Sequence, residues 1–494
     1  MSVLDHSSRA QTATVWSGLG KIAALPGWLH AAIDPGLVSH ALARAVPDLA
    51  SDALTISVRI TSVRIARDGW TGAYLLTLTE RTGGGQRVVA LRGTILPPGQ
   101  PAPPTADGSA DSRAFGIAGW RTYVPELRIA FEMEPPDAAL ASLPILTDAE
   151  QARAMLEASI RAAAPAYADL RIESCAPKIM RYTPGSRCTV LYRLSYPASA
   201  ERSRDWPKLV VAKTYKGGKG RHAYEGMRVL WEAPFRRTSG VTLAEPLAFL
   251  PELNVLVQGP IREEQTLQQM IASAARAHAP AALNELYARI RQTAVGLAEL
   301  HRSEVRFGPV RTWEEELAEV RGIADKLARV MPPFADATAP LLEWLGDCAA
   351  DSPVDPIMAT HGTFRPGQVL IHQGEIGFID FDNFCQAEPA LDLSLFFRRT
   401  KDIVLDVLEG GAGDAAEDQS ARATLLALAD AICEVFLSEY ERHVPVSRRR
   451  IALWEALDLL TLVLHSWTKV KPERLKNATF ALEQHLRSLK LERG

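Results

Sequence analysis

The stretch from His361 to Phe384, HGTFRPGQVLIHQGEIGFIDFDNF, holds the residues best suited to chemistry. Asp380 ends an apolar run, IGFID, so its carboxylate is aimed out of the end of a strand. Hard anionic oxygens in that position suit Mg²⁺. Asp382 follows two residues later and points the same way if the strand continues, giving a second acid. Far upstream, Lys213 stands inside VVAKTY, where a fixed ammonium can neutralise part of the charge of a phosphate chain. Taken singly, each has a plainer reading: a turn-forming aspartate and a solvent-facing strand lysine.

The elements that must position these groups are legible around them. KIMRYTPGSRCTVLYRLSY reads as strand, turn at Pro184-Gly185, and an alternating strand; KLVVAKTY is a third. In the turn, Gly185 lets the backbone approach a phosphate, and Ser186 or Arg187 can donate hydrogen bonds to it. A plain hairpin turn is an equal reading. A glycine-rich KGGKGR leads to a helix containing HAYEGMRVLWEA, and NVLVQGPI is a short buried strand. The rest is mostly helical by its three-to-four apolar spacing, with the acidic, glycine-containing segment 409–420 as an exposed loop. Arg448-Arg449-Arg450 is expected to open a helix and face solvent.

Before residue 150, GAYLLTLTE and RVVALRGTI flank a hairpin signal, RTGGGQR, and WRTYVPELRIAFEME can add further strands. Residues 96–113 are rich in proline, glycine and small polar residues and read as a long loop or linker. Thr147 with Glu150 three residues on has the pattern of a capping box. The 55–95 stretch also echoes the three strands around Lys213, with Leu91 or Arg92 near the lysine's position.

The totals restrict the class. At 494 residues, two or three domains are expected, and 47% apolar with 23% charged residues is a soluble globular composition. A net charge of -3 makes no electrostatic case for nucleic acid or an anionic membrane. The five cysteines are scattered without C-x-x-C spacing, which argues against a disulfide framework or a zinc site and fits a reducing cytoplasm. The N-terminal thirty residues lack a signal-peptide pattern. IALWEALDLLTLVLHSW carries Glu455, Asp458 and His465, so it reads as a core helix rather than a membrane span. A cytoplasmic protein is expected.

Residues 178–470 resemble the aminoglycoside phosphotransferase family, on four ordered pieces: Lys213 in VVAKTY, Glu225 on the next helix, the HGTFRPGQVL loop at 361–370, and IDFD at 379–382. LAELH (297–301) and AEPALDLSLFF (387–397) add to it. The resemblance implies an α+β, two-lobed protein-kinase-like fold, with a β-rich N-lobe (151–260) and a helical C-lobe (261–494), after an extra N-terminal α+β domain (1–150). It implies ATP and Mg²⁺ as cofactors. Lys213 then neutralises phosphate charge, Glu225 orients the lysine through an ion pair, and Gly185, Ser186 and Arg187 take the place of the phosphate-covering loop. Asp380 matches the metal-binding aspartate. Gln368 stands where the family has a metal-binding asparagine, and offers the same amide oxygen on a longer stem. His361 and Asp392 match structural residues of the loop.

The departure is Thr363, which replaces the aspartate that receives or orients the proton of the acceptor hydroxyl. A threonine hydroxyl stays protonated near neutral pH, and general-base help is worth about 10²–10⁴-fold in rate. Phosphoryl transfer depends more on positioning and electrostatics, so Asp382 is carried as a substitute acid. Three readings follow: a phosphotransferase acting on a small-molecule hydroxyl; a pseudokinase that binds nucleotide or a protein partner, the latter through residues 1–150; and transfer of another part of ATP, such as the adenylyl group. The acceptor is not named by the sequence.

Overall fold

The computed structural model describes residues 18–46, 49, 54–81, 84–101, 120–133, 140–183, 186–201, 206–277, 279–408 and 415–491. Packing divides the chain into two compact units, one of Met1–Pro135, Trp313–Asp351 and Ala456–Gly494, the other of Pro136–Thr312 and Ser352–Glu455. The continuous stretches drawn from the sequence, 1–150, 151–260 and 261–494, follow chain order. Packing instead gathers helices from far along the chain with the first 135 residues. No local pattern signals that.

In the first unit, strands β1 (Leu54–Ile65), β2 (Trp70–Glu80), β3 (Gln86–Ile95), β4 (Arg121–Val124) and β5 (Ile129–Met133) form an antiparallel sheet in the order β1-β2-β3-β5-β4. Alternation in β2 and β3 buries Trp70, Tyr74, Leu76 and Leu91 on one face. The polar ends of the buried aromatics are satisfied. Tyr74 Oη donates to Ala32 O at 3.1 Å, Trp70 Nε1 to Trp467 O at 3.0 Å, and Trp467 Nε1 to Ile22 O at 2.7 Å. Of the linker at 96–113, residues 102–113 lie outside the described residues.

The second unit has a β-rich part and a helical part, the α+β, two-lobed plan expected for it. Helix α1 (Ala149–Ala163) leads into β6 (Ser174–Thr183), β7 (Arg187–Ser195) and β8 (Leu209–Tyr215), then helix α2 (Lys219–Glu232) and the strands β9 (Val241–Leu243), β10 (Pro246–Leu250) and β11 (Val255–Gln258). The antiparallel order is β10-β11-β8-β7-β6. Read from the first strand of each sheet, the two sheets share one order: first, second, third, fifth, fourth. The echo at 55–95 is therefore matched in topology. Its chemistry is not, since Leu91 is buried and Arg92 pairs with Glu132 at 3.7 Å.

Two details at element ends differ from the expected ones. Asp148, not Thr147, caps α1: its carboxylate accepts Gln151 N at 2.8 Å, while Thr147 Oγ1 donates to Leu143 O at 2.9 Å. A carboxylate is the better acceptor for a free helix N–H, and one step in register is enough to choose it. Of the 448–450 arginines, Arg450 is buried rather than solvent-facing, because Glu388, equally buried, receives its Nε at 2.8 Å. Arg448 reaches Glu434 and Glu441, and Arg449 reaches Ser352.

The helical part contains α3 (Leu267–Ala277), α4 (Pro280–His301), α5 (Ala390–Leu405) and α6 (Ala415–Tyr440). Aromatic contacts seat it, with the Phe396 and Phe436 ring centroids 4.3 Å apart. Of the acidic segment 409–420, residues 409–414 lie outside the described residues and α6 covers the rest. Among the described residues no helix is long and apolar enough to cross a membrane. All five cysteines are buried thiols.

Candidate active site

The chemistry-bearing stretch folds as two nested hairpins. Inside, β14 (Val369–His372) pairs with β15 (Glu375–Phe378) across a two-residue Gln373-Gly374 turn in which both residues have positive φ, the geometry that suits a tight hairpin. Outside, β13 (Met358–Thr360) pairs with β16 (Cys385–Ala387). A short strand, β12 (Gln265–Thr266), lies beside β14. Nesting brings the two ends of the stretch together. Gln368 immediately precedes β14 and Asp380 follows β15, so Gln368 Nε2 donates to Asp380 Oδ2 at 3.2 Å. Gly362 has φ 78°, and a Cβ there would stand 2.1 Å from Asn383 O, so only glycine lets the outer hairpin close.

Beneath the loop, buried Asp392 receives His361 N at 2.7 Å and Phe364 N at 3.2 Å, while His301 Nε2 faces it at 3.2 Å. Burial alone would raise its pKa, but the hydrogen bond and charge of His301, with help from His361 and Phe364, carry it below the ordinary 3.8. A depressed folded-state value stabilises above 3.8, and the contribution is lost as pH falls through the folded value. Asp392→Ala is expected to cost about 3–5 kcal/mol, since it strands the His301 ring and two buried N–H groups. Urea melts check this at pH 7; a loss under about 1 kcal/mol would sink the buttress. His361 is buried, donates Nε2–H to Ile379 O at 3.0 Å, and is held below its ordinary pKa first by that burial.

Asp380 leaves strand geometry with φ 74°, a left-handed conformation that aspartate tolerates better than most residues and that sets the direction of its carboxylate. The strand stops at Phe378, so alternation is not what brings Asp382 alongside. Both acids nonetheless meet Lys213 of β8: its Nζ lies 3.0 Å from Asp380 Oδ1 and 3.9 Å from Asp382 Oδ1. All three side chains are largely buried, at 15%, 20% and 12% exposure for Lys213, Asp380 and Asp382.

The three groups tune one another. Burial pulls the Lys213 ammonium down, but the two carboxylates outweigh it and the net shift is upward. Burial likewise works against the ionised Asp380, yet Lys213 and Gln368 hold it well below the usual carboxylate range. Asp382 goes the other way: burial and the charge of Asp380 push it up to about 6, against Lys213 and the Tyr215 hydroxyl. Tyr215 Oη donates to Asp382 Oδ1 at 2.8 Å.

Glu225 does not join them. It is 43% exposed and faces Arg221 at 3.7 Å, one turn away on the same helix, so the expected Lys213–Glu225 ion pair is absent. Lys213 is already committed to two nearer carboxylates from the loop. Ser186 bridges the turn, donating its N–H to Thr183 O at 3.1 Å and accepting Lys216 N at 3.0 Å; Gly185 lies outside the described residues. Arg187 pairs in register with Tyr215, on the sheet face that carries Lys213. Thr363 is half-buried in the loop.

Sequence reading missed Tyr215 and Arg365. Tyr215 is two residues after Lys213, so the strand period alone puts both on one face. Arg365 lies inside the quoted loop, and its Nη2 is 3.5 Å from Asp380 Oδ2.

The donor set fits a hard cation. Asp380 offers a carboxylate, and Gln368, 2% exposed, has an amide Oε1 that is buried with no hydrogen-bond partner. Turned over, that amide would present oxygen rather than N–H toward Asp380. Among the described residues no group of three or more His, Cys, Asp or Glu is placed to hold a metal.

With that geometry in view, residues 266–425 match the family model described as "Phosphotransferase enzyme family". The matched segment is about a third of the chain. It spans α3 to the start of α6 and contains the loop, Gln368, Asp380 and Asp382. No curated protein matches the chain. Among solved structures, a glucosamine kinase in complex with glucosamine, ADP and inorganic phosphate has TM-score 0.46 at 14% identity, covering 69% of this chain and 87% of that one. A second glucosamine kinase crystal form covers 93% and 99% at TM-score 0.43 and 13% identity. The aminoglycoside phosphotransferase APH(3'')-Id from Streptomyces rimosus covers 58% and 92% at TM-score 0.33 and 18% identity. These overlaps are loose, and they stand as likenesses only.

Proposed function

We infer that the second unit is an ATP-dependent phosphotransferase acting on a hydroxyl of a small molecule. What carries the reading is the meeting of the sheet residue Lys213 with Asp380, 167 residues on in sequence, and with Asp382, both carboxylates lying in the segment that matches the phosphotransferase family model. Structural ion pairs also arise between distant residues. This one differs in leaving two acids with pKa values pushed apart in one largely buried place, the pattern that separates a metal or charge site from a proton acceptor.

In this reading Lys213 holds the phosphate chain, with Ser186 and Arg187 at the turn beside it. Asp380 and the Gln368 amide oxygen hold Mg²⁺, whose part is to neutralise charge on the phosphate oxygens. Asp382, kept in place by the Tyr215 hydroxyl, takes the proton of the acceptor hydroxyl. Thr363 lines the loop without acting as a base. Glu225 is left with no role at the phosphates.

The pseudokinase reading keeps one observation in its favour, the threonine at the place of the usual base. Label transfer decides between them. Purified protein with γ-phosphate-labelled ATP and Mg²⁺ is expected to label a small-molecule product from a broad pool of hydroxyl metabolites. If Lys213→Ala and wild type give the same blank, transfer is rejected and nucleotide binding alone remains.

A further inference from the structure

Three loop residues spaced two apart each take a partner from one short stretch of the β-rich part. Asp380 faces Lys213 at 3.0 Å, and Asp382 accepts the Tyr215 hydroxyl at 2.8 Å. The third rung lies outside the site described above. Phe384 O accepts a hydrogen bond from His222 Nε2 at 2.9 Å. A carbonyl can only accept, so that ring nitrogen carries the proton. Lys213 and Tyr215 belong to β8, and His222 lies in the first turn of α2, the helix that follows it. Glu225 of the same helix turns to Arg221, so it is His222 that ties α2 to the loop.

Phe384 connects that tie to Asp382. Its N–H donates to Phe381 O at 3.1 Å, closing a four-residue turn with Asp382 and Asn383 at its centre. The His222 ring also packs on Phe307, centroids 4.9 Å apart. Phe307 in turn stacks on Phe384 at 6.1 Å, with the ring planes 11° apart. Two glycines leave room for these contacts. Gly308 has φ 81°, and a Cβ there would stand 2.5 Å from Phe384 O and 3.2 Å from His222 Cε1. On Gly226, one turn along α2 from His222, a Cβ would stand 3.0 Å from the Phe307 ring.

We propose that His222 is a positioning residue: by holding Phe384 O it fixes the turn that carries Asp382 and keeps both loop acids in step with Lys213 and Tyr215. The proposal rests on the phosphotransferase reading for its kinetic consequence. The Lys213 and Tyr215 rungs end on carboxylate side chains, which can follow a shifted backbone by changing rotamer. Of the three rungs, the His222 one grips the main chain. A misplacement of about 1 Å at a reacting group can cost on the order of 10²-fold in rate, so a loosened turn is felt in turnover.

The test compares His222→Phe, His222→Leu and His222→Gln with wild type in the full chain. Phenylalanine keeps a ring against Phe307 and loses the donor. Glutamine loses the ring and keeps an N–H at a similar reach. Leucine covers the case in which phenylalanine overfills the space beside Gly308 and does not fold. Hydrogen exchange of backbone amides in peptides spanning 379–387, read without added nucleotide, is expected to quicken about tenfold in the donorless variants and to stay near wild type in His222→Gln. The kcat for phosphoryl transfer should follow the same order, about tenfold lower without the donor, with KM for ATP within about twofold. Unaltered exchange in the donorless variants would overturn the proposal. So would equal losses in His222→Gln, which would make His222 a packing residue alone, or a wild-type kcat in a variant whose loop exchanges faster. If exchange follows the donor while wild type transfers no phosphoryl group, the tie to the turn stands and the phosphotransferase reading falls.

Discussion

Alanine at Asp380 is expected to abolish the magnesium-dependent stabilisation that ATP should confer on the wild-type chain. With ligand at 100 times its dissociation constant, the wild type gains about 2.7 kcal/mol, and the variant is expected to gain almost none of it. The readout must be the ligand-induced change rather than the absolute melting temperature. In the resting site Asp380 is the counter-ion of Lys213 at 3.0 Å and of Arg365 at 3.5 Å, so its removal also destabilises the unliganded protein. Lys213→Ala is the companion variant. It removes the phosphate partner but leaves both Asp380 oxygens and the Gln368 amide, so a weaker magnesium-dependent shift should survive. Equal shifts in wild type and Asp380→Ala would place the nucleotide away from these carboxylates, and the roles given to Asp380 and Gln368 would go with it. Thermal melts over an ATP and Mg²⁺ grid measure this directly.

The parts of the site that could be read in the sequence are those fixed by local spacing. IGFID runs into an acid just past the point where its apolar strand stops, and the HG-to-Gln spacing fits the hairpin that brings Gln368 back to Asp380. Lys213 was legible for the same reason, as a charged residue inside an apolar strand. What spacing does not fix is which partner a side chain chooses. Glu225 is on the expected helix, yet it faces Arg221, because two nearer carboxylates already neutralise Lys213. The Arg365–Asp380 contact was not legible either, because spacing inside the loop does not say which of its side chains turn toward the acid. The same limit explains the fold. Three strands around 55–95 could be found by their alternation, but the shared strand order of the two sheets needs β5 and β11 to insert beside the third strand of each. The grouping of 313–351 and 456–494 with the N-terminal sheet depends on contacts such as Trp70 with Trp467, and neither tryptophan signals its partner.

Neutralising Asp382 as asparagine should cost far more turnover than removing Thr363. If Asp382 takes the acceptor proton, Asp382→Asn lowers kcat by about 10²–10⁴-fold while Thr363→Ala stays within a few-fold of wild type. The asparagine keeps the acceptor for the Tyr215 hydroxyl, so the site need not collapse, and KM for ATP should move little. The pH profile carries the sign. A base must be deprotonated to act, and burial with the charge of Asp380 holds Asp382 up to about 6, so kcat should fall as pH drops through that region and level off above it. Bound Mg²⁺ would move this limb downward by favouring the carboxylate. In Asp382→Asn the limb should vanish, because no group with that titration remains to supply it. Thr363→Asp adds the complementary arm. Placed on the Asp382→Asn background, an acid at 363 should restore part of the lost rate, since either position then offers a carboxylate to the same hydroxyl. A wild-type rate in Asp382→Asn would remove the base from the mechanism altogether. Transfer would then rest on positioning and charge alone, which a loose phosphoryl-transfer transition state permits, and the threonine at 363 would need no substitute.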